Sequence, residues 1–224
     1  MNELPHSDSD LEAIYARRFS GKESYRIRVW SVLTSQFFSQ WIPKTGTVLE
    51  LGCGYCEFIN QIEAAGKYGM DLNPSSGRNT GTDVVFLQQD CSAPWPVEPN
   101  TLDTVFTSNF FEHLPSKPLL EETLRQAWKS LKPGGRLIAM GPNIKYVPGA
   151  YWDFFDHYLA LTELSLGEVL EKCGFEIERS DARFLPYTMS QGAEYPLWTL
   201  KLYLAMPFVW PLFGKQFLVV ARKR

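Results

Sequence analysis

Val48-Leu-Glu-Leu-Gly-Cys-Gly-Tyr-Cys-Glu-Phe58 is the segment from which the fold can be read. An apolar strand ends in Glu50-Leu51-Gly52-Cys53-Gly54 and leads toward a helix expected from Glu57 to Ala65. Glycines at 52 and 54 let the backbone turn tightly and let a ligand approach without Cβ interference. A strand-loop-helix unit of this kind holds ligands at the carboxyl end of a parallel sheet. The plain alternative is an ordinary strand-to-helix turn that happens to contain glycine. Dinucleotide binders place a third glycine where this chain has Glu57, which disfavours a nicotinamide cofactor and its pyrophosphate.

Moving outward, the run Lys67-Tyr-Gly-Met-Asp71 ends in a carboxylate 19 residues after Gly52. An acidic side chain there is placed to accept hydrogen bonds from both hydroxyls of a ribose. The next run ends in Gln88-Gln89-Asp90, a third acidic group at the same edge unless it is only a solvated loop aspartate. Strands are expected at Thr47–Leu51, Lys67–Asp71, Val84–Gln88, Asp103–Ser108, Arg136–Gly141, Phe175–Ser180 and Gln216–Ala221. Further helices are expected at Leu119–Leu131 and Leu166–Cys173, the latter opened by a capping box from Ser165 to Glu168. Ahead of the first strand, residues 11–41 read as one or two helices, with Ile27, Trp30, Leu33, Phe37 and Trp41 on one face. Strands alternating with helices build an α/β parallel sheet.

The 224 residues, with 45% apolar and 21% charged side chains, suit one domain with a sizeable core. A net charge of −3 gives no electrostatic footprint for nucleic acid. The polar N-terminus lacks the pattern of a signal peptide, and the four cysteines are too scattered for a disulfide framework, so a cytoplasmic protein is expected. Cys53 and Cys56 form a CxxC, but no second ligand pair accompanies it and no metal is expected.

Five segments, Glu50-Leu-Gly-Cys-Gly54, Gly69-Met-Asp-Leu-Asn-Pro74, Gln88-Gln-Asp-Cys91, Asp103–Leu114 and Leu131–Asn143, occur in the motif order of a known family. Over about residues 45–180 the chain resembles class I S-adenosylmethionine-dependent methyltransferases, most closely the small-molecule branch called methyltransferase type 11. The resemblance implies a Rossmann-like, seven-stranded, mostly parallel sheet with helices on both faces. The whole chain is read as a single domain, 1–224, made of N-terminal helices (1–43), a cofactor-binding core (45–180), an apolar cap (181–214) and a last strand (215–224); within the core the resemblance assigns the site residues. It places Glu50, Gly52 and Gly54 around the methionine part of S-adenosylmethionine, Asp71 on the ribose and Leu72 against adenine. Asp90 would accept from the adenine amine beside the Cys91 backbone, and Asn109 would sit near the sulfonium. The product would be S-adenosylhomocysteine. The chain lacks the Asn/Asp-Pro-Pro-Tyr/Phe motif of enzymes that methylate adenine bases or glutamine.

Methyl transfer needs positioning more than acid catalysis, because a neutral thioether leaves; a base helps when the acceptor is a hydroxyl. His113, in the loop after the fourth strand, is one candidate, with loop positioning as its plainer role. The other is His157, oriented by Asp153 if Tyr151–Ala160 is helical and the two lie four apart on one face. Phe111, Tyr146 and Tyr151 are candidate walls of an acceptor pocket. Finally, Tyr195–Phe213 carries one charge in 19 residues, yet Pro196, Pro207 and Pro211 argue against a membrane span. A packed lid or a homodimer face is the plain reading. The sharper one is peripheral membrane contact flanked by Lys201, Lys215, Arg222, Lys223 and Arg224, serving a lipid-linked acceptor. The expected function is methyl transfer to a small-molecule or lipid-linked acceptor at oxygen. The alternative is a cofactor-binding but non-catalytic regulatory or assembly subunit.

Overall fold

The computed structural model describes residues 22–187 and 194–224, and within them one seven-stranded sheet organises the chain. Its strands are β1 (Thr47–Leu51), β2 (Gly66–Asp71), β3 (Val85–Gln88), β4 (Leu102–Ser108), β5 (Leu131–Pro142), β6 (Phe175–Asp181) and β7 (Gln216–Lys223). They lie in the order β3-β2-β1-β4-β5-β7-β6, and β7 alone runs antiparallel to its neighbours. Chain order reverses between β1 and β4, so a crevice opens between the loops that follow them, at the carboxyl edge. This is the Rossmann-like α/β architecture expected from the strand pattern.

The period-2 alternation of the strands separates two cores. Leu49, Leu51, Val105, Leu137, Ala139, Val219 and Ala221 face helices α2 (Lys117–Ser130) and α3 (Glu163–Lys172). Val48, Phe106, Ile138, Met140, Leu218 and Val220 face α1 (Glu23–Gln36) and the turns at 57–62. Phe58 stacks on Phe106 with ring centroids 3.6 Å apart, which pins those turns to the sheet.

Local expectations fail in four places. Residues 57–65 form no regular helix; they make turns holding Asn60 N–H to the Cys56 carbonyl and Ile62 N–H to Phe58. Phe58 and Ile59, buried against the sheet, hold the chain in these turns. The cap of α3 is one turn earlier than expected, with the Thr162 hydroxyl accepting from Ser165 N–H and Ser165 answering the Thr162 backbone. On α1 the buried stripe runs through Arg26, Val29, Trp30 and Leu33, leaving Ile27 exposed. Tyr151–Ala160 is not helical: a 3-10 turn covers Ala150–Asp153 and Phe154 is extended. Asp153 is exposed, so the expected i,i+4 pairing with His157 does not form. The N-terminal part of the helical stretch expected at 11–41 lies outside the described residues, as does 188–193 of the 181–214 segment.

The apolar segment leaves and returns at the carboxyl edge, since Asp181 and Leu218 pair there and Gln216 lies opposite Pro142. It folds into α4 (Leu197–Ala205), a 3-10 turn and the short α5 (Trp210–Phe213). Leu197, Leu200, Tyr203 and Leu204 pack into the core beside α1. Among the described residues no helix is long and apolar enough to cross a membrane. Lys201 sits within the segment on α4, and Lys215 follows it. Arg222, Lys223 and Arg224 do not flank it, because β7 carries them roughly 20 Å away to the far end of the sheet. There Lys223 is buried against Asn100 and the Leu131 carbonyl, and Arg222 and Arg224 pair with Glu176.

Candidate active site

The glycine loop closes over the end of β1 in left-handed steps, with φ of +63° at Gly52, +50° at Gly54 and +61° at Cys56. Asp71, ending β2, ties it down: its Oδ2 accepts from Gly54 N–H and its Oδ1 from Asn73 N–H, both at 2.8 Å. Burial raises the Asp71 pKa against the pull of those two N–H groups, and the nearby His113 charge also favours the carboxylate. Glu50 points to the opposite face from Leu51, and its buried carboxylate accepts from Ile59 N–H at 3.1 Å. Burial pushes Glu50 well above the usual range for a carboxyl. In this loop Glu50 therefore supports the 57–62 turns.

The remaining candidates at this edge are close by. Asp90 holds Ser92 through its N–H and its hydroxyl, both at 2.8 Å to Oδ1. The Cys91 thiol is buried, and that burial raises its pKa. Leu72 offers an exposed apolar side chain directly after Asp71. Its interaction with Cys56, together with burial, pushes the Cys53 thiol pKa up. Sequence reasoning missed Arg26. Buried on α1, it pairs with Glu57 at 2.7 Å and lies over the Tyr55 ring, fixing the outer wall of the loop.

Asn109 follows β4 with φ of +50° and donates through Nδ2 to the Ser108 hydroxyl, while its buried Oδ1 has no hydrogen-bond partner. The next residue, Phe110, lies against Gly52: a Cβ at 52 would meet its ring at 2.3 Å. The loop then turns at Phe111–His113, and the Glu112 carbonyl accepts from Tyr158 and Leu159 N–H, drawing in the loop after β5.

That junction gathers a polar cluster inside aromatic walls. His113 Nδ1 lies 3.0 Å from the Asp156 carbonyl and 3.2 Å from its carboxylate. A carbonyl can only accept, so Nδ1 carries the proton and the lone pair of the neutral ring sits on Nε2. Burial opposes the imidazolium form of His113, but the Asp156 hydrogen bond and the Glu112 and Asp156 charges outweigh it, and the pKa rises. Glu112 is buried beside Gly141, and burial pushes its carboxyl up to about 7. The buried His157 ring lies 4.9 Å from that of His113, stacked on Phe154 and tilted against Tyr151. The structure thus brings His113 and His157 together, as sequence reasoning did not, and supplies Asp156 and Glu112 in place of Asp153. Phe111 is buried in the core, and Tyr146 lies under the Arg183 guanidinium.

The profile of the family described as a methyltransferase domain matches residues 23–180. No curated protein matches the chain. Among solved structures, a chain of the Haloferax volcanii complex between the Trm112 methyltransferase activator and a methyltransferase superposes with a TM-score of 0.69 at 19% identity, covering 98% of this chain and 99% of that one. An S-adenosylmethionine-dependent methyltransferase from Archaeoglobus fulgidus gives 0.68 at 20% identity over 95% and 99%. Another from Thermotoga maritima gives 0.66 at 16% identity over 94% and 99%.

Proposed function

The chain belongs to the methyltransferase-domain family and is an S-adenosylmethionine-dependent methyltransferase; from that premise we propose that its acceptor is a hydroxyl on a small or lipid-linked molecule. The observation that carries this reading is the cluster of Glu112, His113, Asp156 and His157, walled by Tyr151 and Phe154, beside the residue that ends β4. A hydroxyl must lose its proton to become a good nucleophile, and a buried group of imidazoles and carboxylates answers that need.

The residues of the carboxyl edge fit the cofactor. Backbone without side chains at Gly52 and Gly54 admits close approach, and the carboxylates of Asp71 and Asp90 each keep acceptor capacity beyond the bonds described. The buried, unpaired Asn109 Oδ1 offers a partial negative charge where a sulfonium would need one. When bound, S-adenosylmethionine would supply an electrophilic methyl group. The protein's part is to hold the cofactor through the glycine loop, Asp71, Leu72, Asp90 and the Cys91 backbone, and to seat the acceptor hydroxyl beside the cluster of Glu112, His113 and His157, where it loses its proton. Incubation with methyl-labelled S-adenosylmethionine and paired hydroxyl and amine acceptors tests the reading. Methyl ethers are the expected products; methylamines alone would overturn it.

Asp71→Ala is expected to weaken S-adenosylhomocysteine binding about ten- to a hundredfold, from the roughly 1.5–3 kcal/mol of charge-assisted hydrogen bonds lost. Asp71→Asn, which keeps an acceptor for the Gly54 N–H, should fall between. Calorimetry showing wild-type affinity for both variants would remove Asp71 from the site.

The lipid-linked option rests on the outer face of the C-terminal segment. Phe208 is 77% exposed, Leu212 70%, Trp198 64% and Phe213 60%. With Lys201 among them and Lys215 following, these side chains suit the headgroup layer of an anionic membrane. Sedimentation with phosphatidylglycerol vesicles is expected, and the triple change Trp198→Ala, Phe208→Ala, Phe213→Ala should reduce the bound fraction at least severalfold. Wild-type protein that stays in the supernatant, or elutes as a dimer through this face, would leave a water-borne acceptor.

A further inference from the structure

We propose that Glu112, His113 and His157 bind one divalent transition-series cation, and that this cation grips the acceptor oxygen; the inference rests on the hydroxyl-acceptor reading and specifies how the proton is drawn off. One ligand atom from each of the three residues lies within 4.8 Å of the others. Bonds of about 2.0–2.2 Å to one ion would bring such atoms to roughly 3–3.5 Å apart, a closure within reach of small side-chain rotations. The donor set is two imidazoles and one carboxylate, which favours zinc, cobalt or their neighbours over magnesium or calcium. Three protein ligands leave coordination positions for a substrate oxygen.

The surroundings resemble those of a built site. Asp156 holds His113 Nδ1–H through both its carbonyl and its carboxylate, the arrangement that orients a ligating imidazole and presents Nε2. His157 packs between Phe154, Tyr151 and His113, which confines its ring to this side of the cluster. Glu112 is held by its own backbone, whose carbonyl takes two N–H groups from the loop after β5. A buried carboxylate beside two histidines is stabilised by a dication more than by solvent.

In the reaction, coordination of the acceptor hydroxyl to the ion lowers its pKa, and its proton passes to water. The oxygen lone pair forms the new C–O bond as the C–S bond breaks, its electron pair remaining on sulfur as a neutral thioether. The histidines stay ligands throughout and carry no proton away.

The test uses the full chain, stripped of metal with a chelator and titrated with cobalt(II) alone. One equivalent should produce visible ligand-field bands without the intense near-ultraviolet charge transfer that thiolate ligation adds. Glu112→Gln and His157→Gln, each checked for native circular dichroism, should bind cobalt at least tenfold more weakly. The near-isosteric Glu112→Gln is the variant expected to keep its fold. No visible bands, a thiolate spectrum from Cys53 and Cys56, or wild-type affinity in both variants would overturn the site. Hydroxyl methylation that persists in chelator would overturn the ion's role. Cobalt binding without methylation of any hydroxyl would keep the site and remove the oxygen-acceptor reading instead.

Discussion

Gly52→Val is expected to abolish measurable binding of S-adenosylmethionine and its product. Two independent effects act at this position. The residue sits at φ +63°, where a non-glycine residue costs about 1–2 kcal/mol and a β-branched one is least tolerated. Its Cβ would also lie 2.3 Å from the Phe110 ring, so Phe110 must move, and Asn109 is joined to it at the end of β4. The loop that relaxes is the one whose Gly54 N–H is tied to Asp71, so the two ends of the cofactor cradle shift together. The contact differs from what the sequence suggests, since the added side chain collides first with Phe110. Some loss of stability should therefore accompany the loss of binding, about 2–8 °C in Tm for a chain of this size. Calorimetry with S-adenosylhomocysteine beside a thermal melt reads both; affinity within a few-fold of wild type would mean the loop is only a turn.

What the sequence made legible was whatever depends on strand ends. Apolar runs bounded by glycine, proline and aspartate mark all seven strands, and a residue that ends a parallel strand necessarily reaches the ligand edge. That is why Gly52, Asp71, Asp90 and Asn109 could be placed together before any coordinates. Helical periodicity was a poorer guide over short connections. Glu57–Ala65 has the right composition, but its chain follows turns pinned to the sheet by Phe58 instead of a helix. The Asp153–His157 pairing failed for a related reason: a four-residue spacing means one face only if the backbone is helical, and here it is not. The true partner of His113 is 43 residues away in another loop, a separation at which no spacing rule applies. The same holds for Arg26 and Glu57, joined across 31 residues by the packing of α1 on the loop. The basic flank was misjudged because proximity in sequence to Phe213 says nothing once β7 has crossed the sheet.

Two tryptophans of the C-terminal segment separate its structural from its surface role, and the larger expected effect is on stability. Trp210 is 2% exposed, in contact with Phe37 at the end of α1, Phe184 after β6 and Tyr203 of α4, with its Nε1–H donating to the Tyr203 carbonyl at 2.8 Å. The Arg179 guanidinium stands 5.3 Å from its ring. Trp210→Ala should therefore cost about 3–5 kcal/mol through the cavity and the lost contacts. Trp198, in the same segment but on the outer face of α4, should change stability by no more than about 0.5 kcal/mol when made alanine. Urea or thermal unfolding of the two variants measures the contrast. Similar losses for both would mean that the outer face of α4 is covered, by a second copy of the chain or by its own residues, and the membrane-facing reading would fall with it. A stable Trp198→Ala protein that binds S-adenosylhomocysteine normally but methylates a lipid-linked acceptor poorly would instead assign that face to delivery of the substrate.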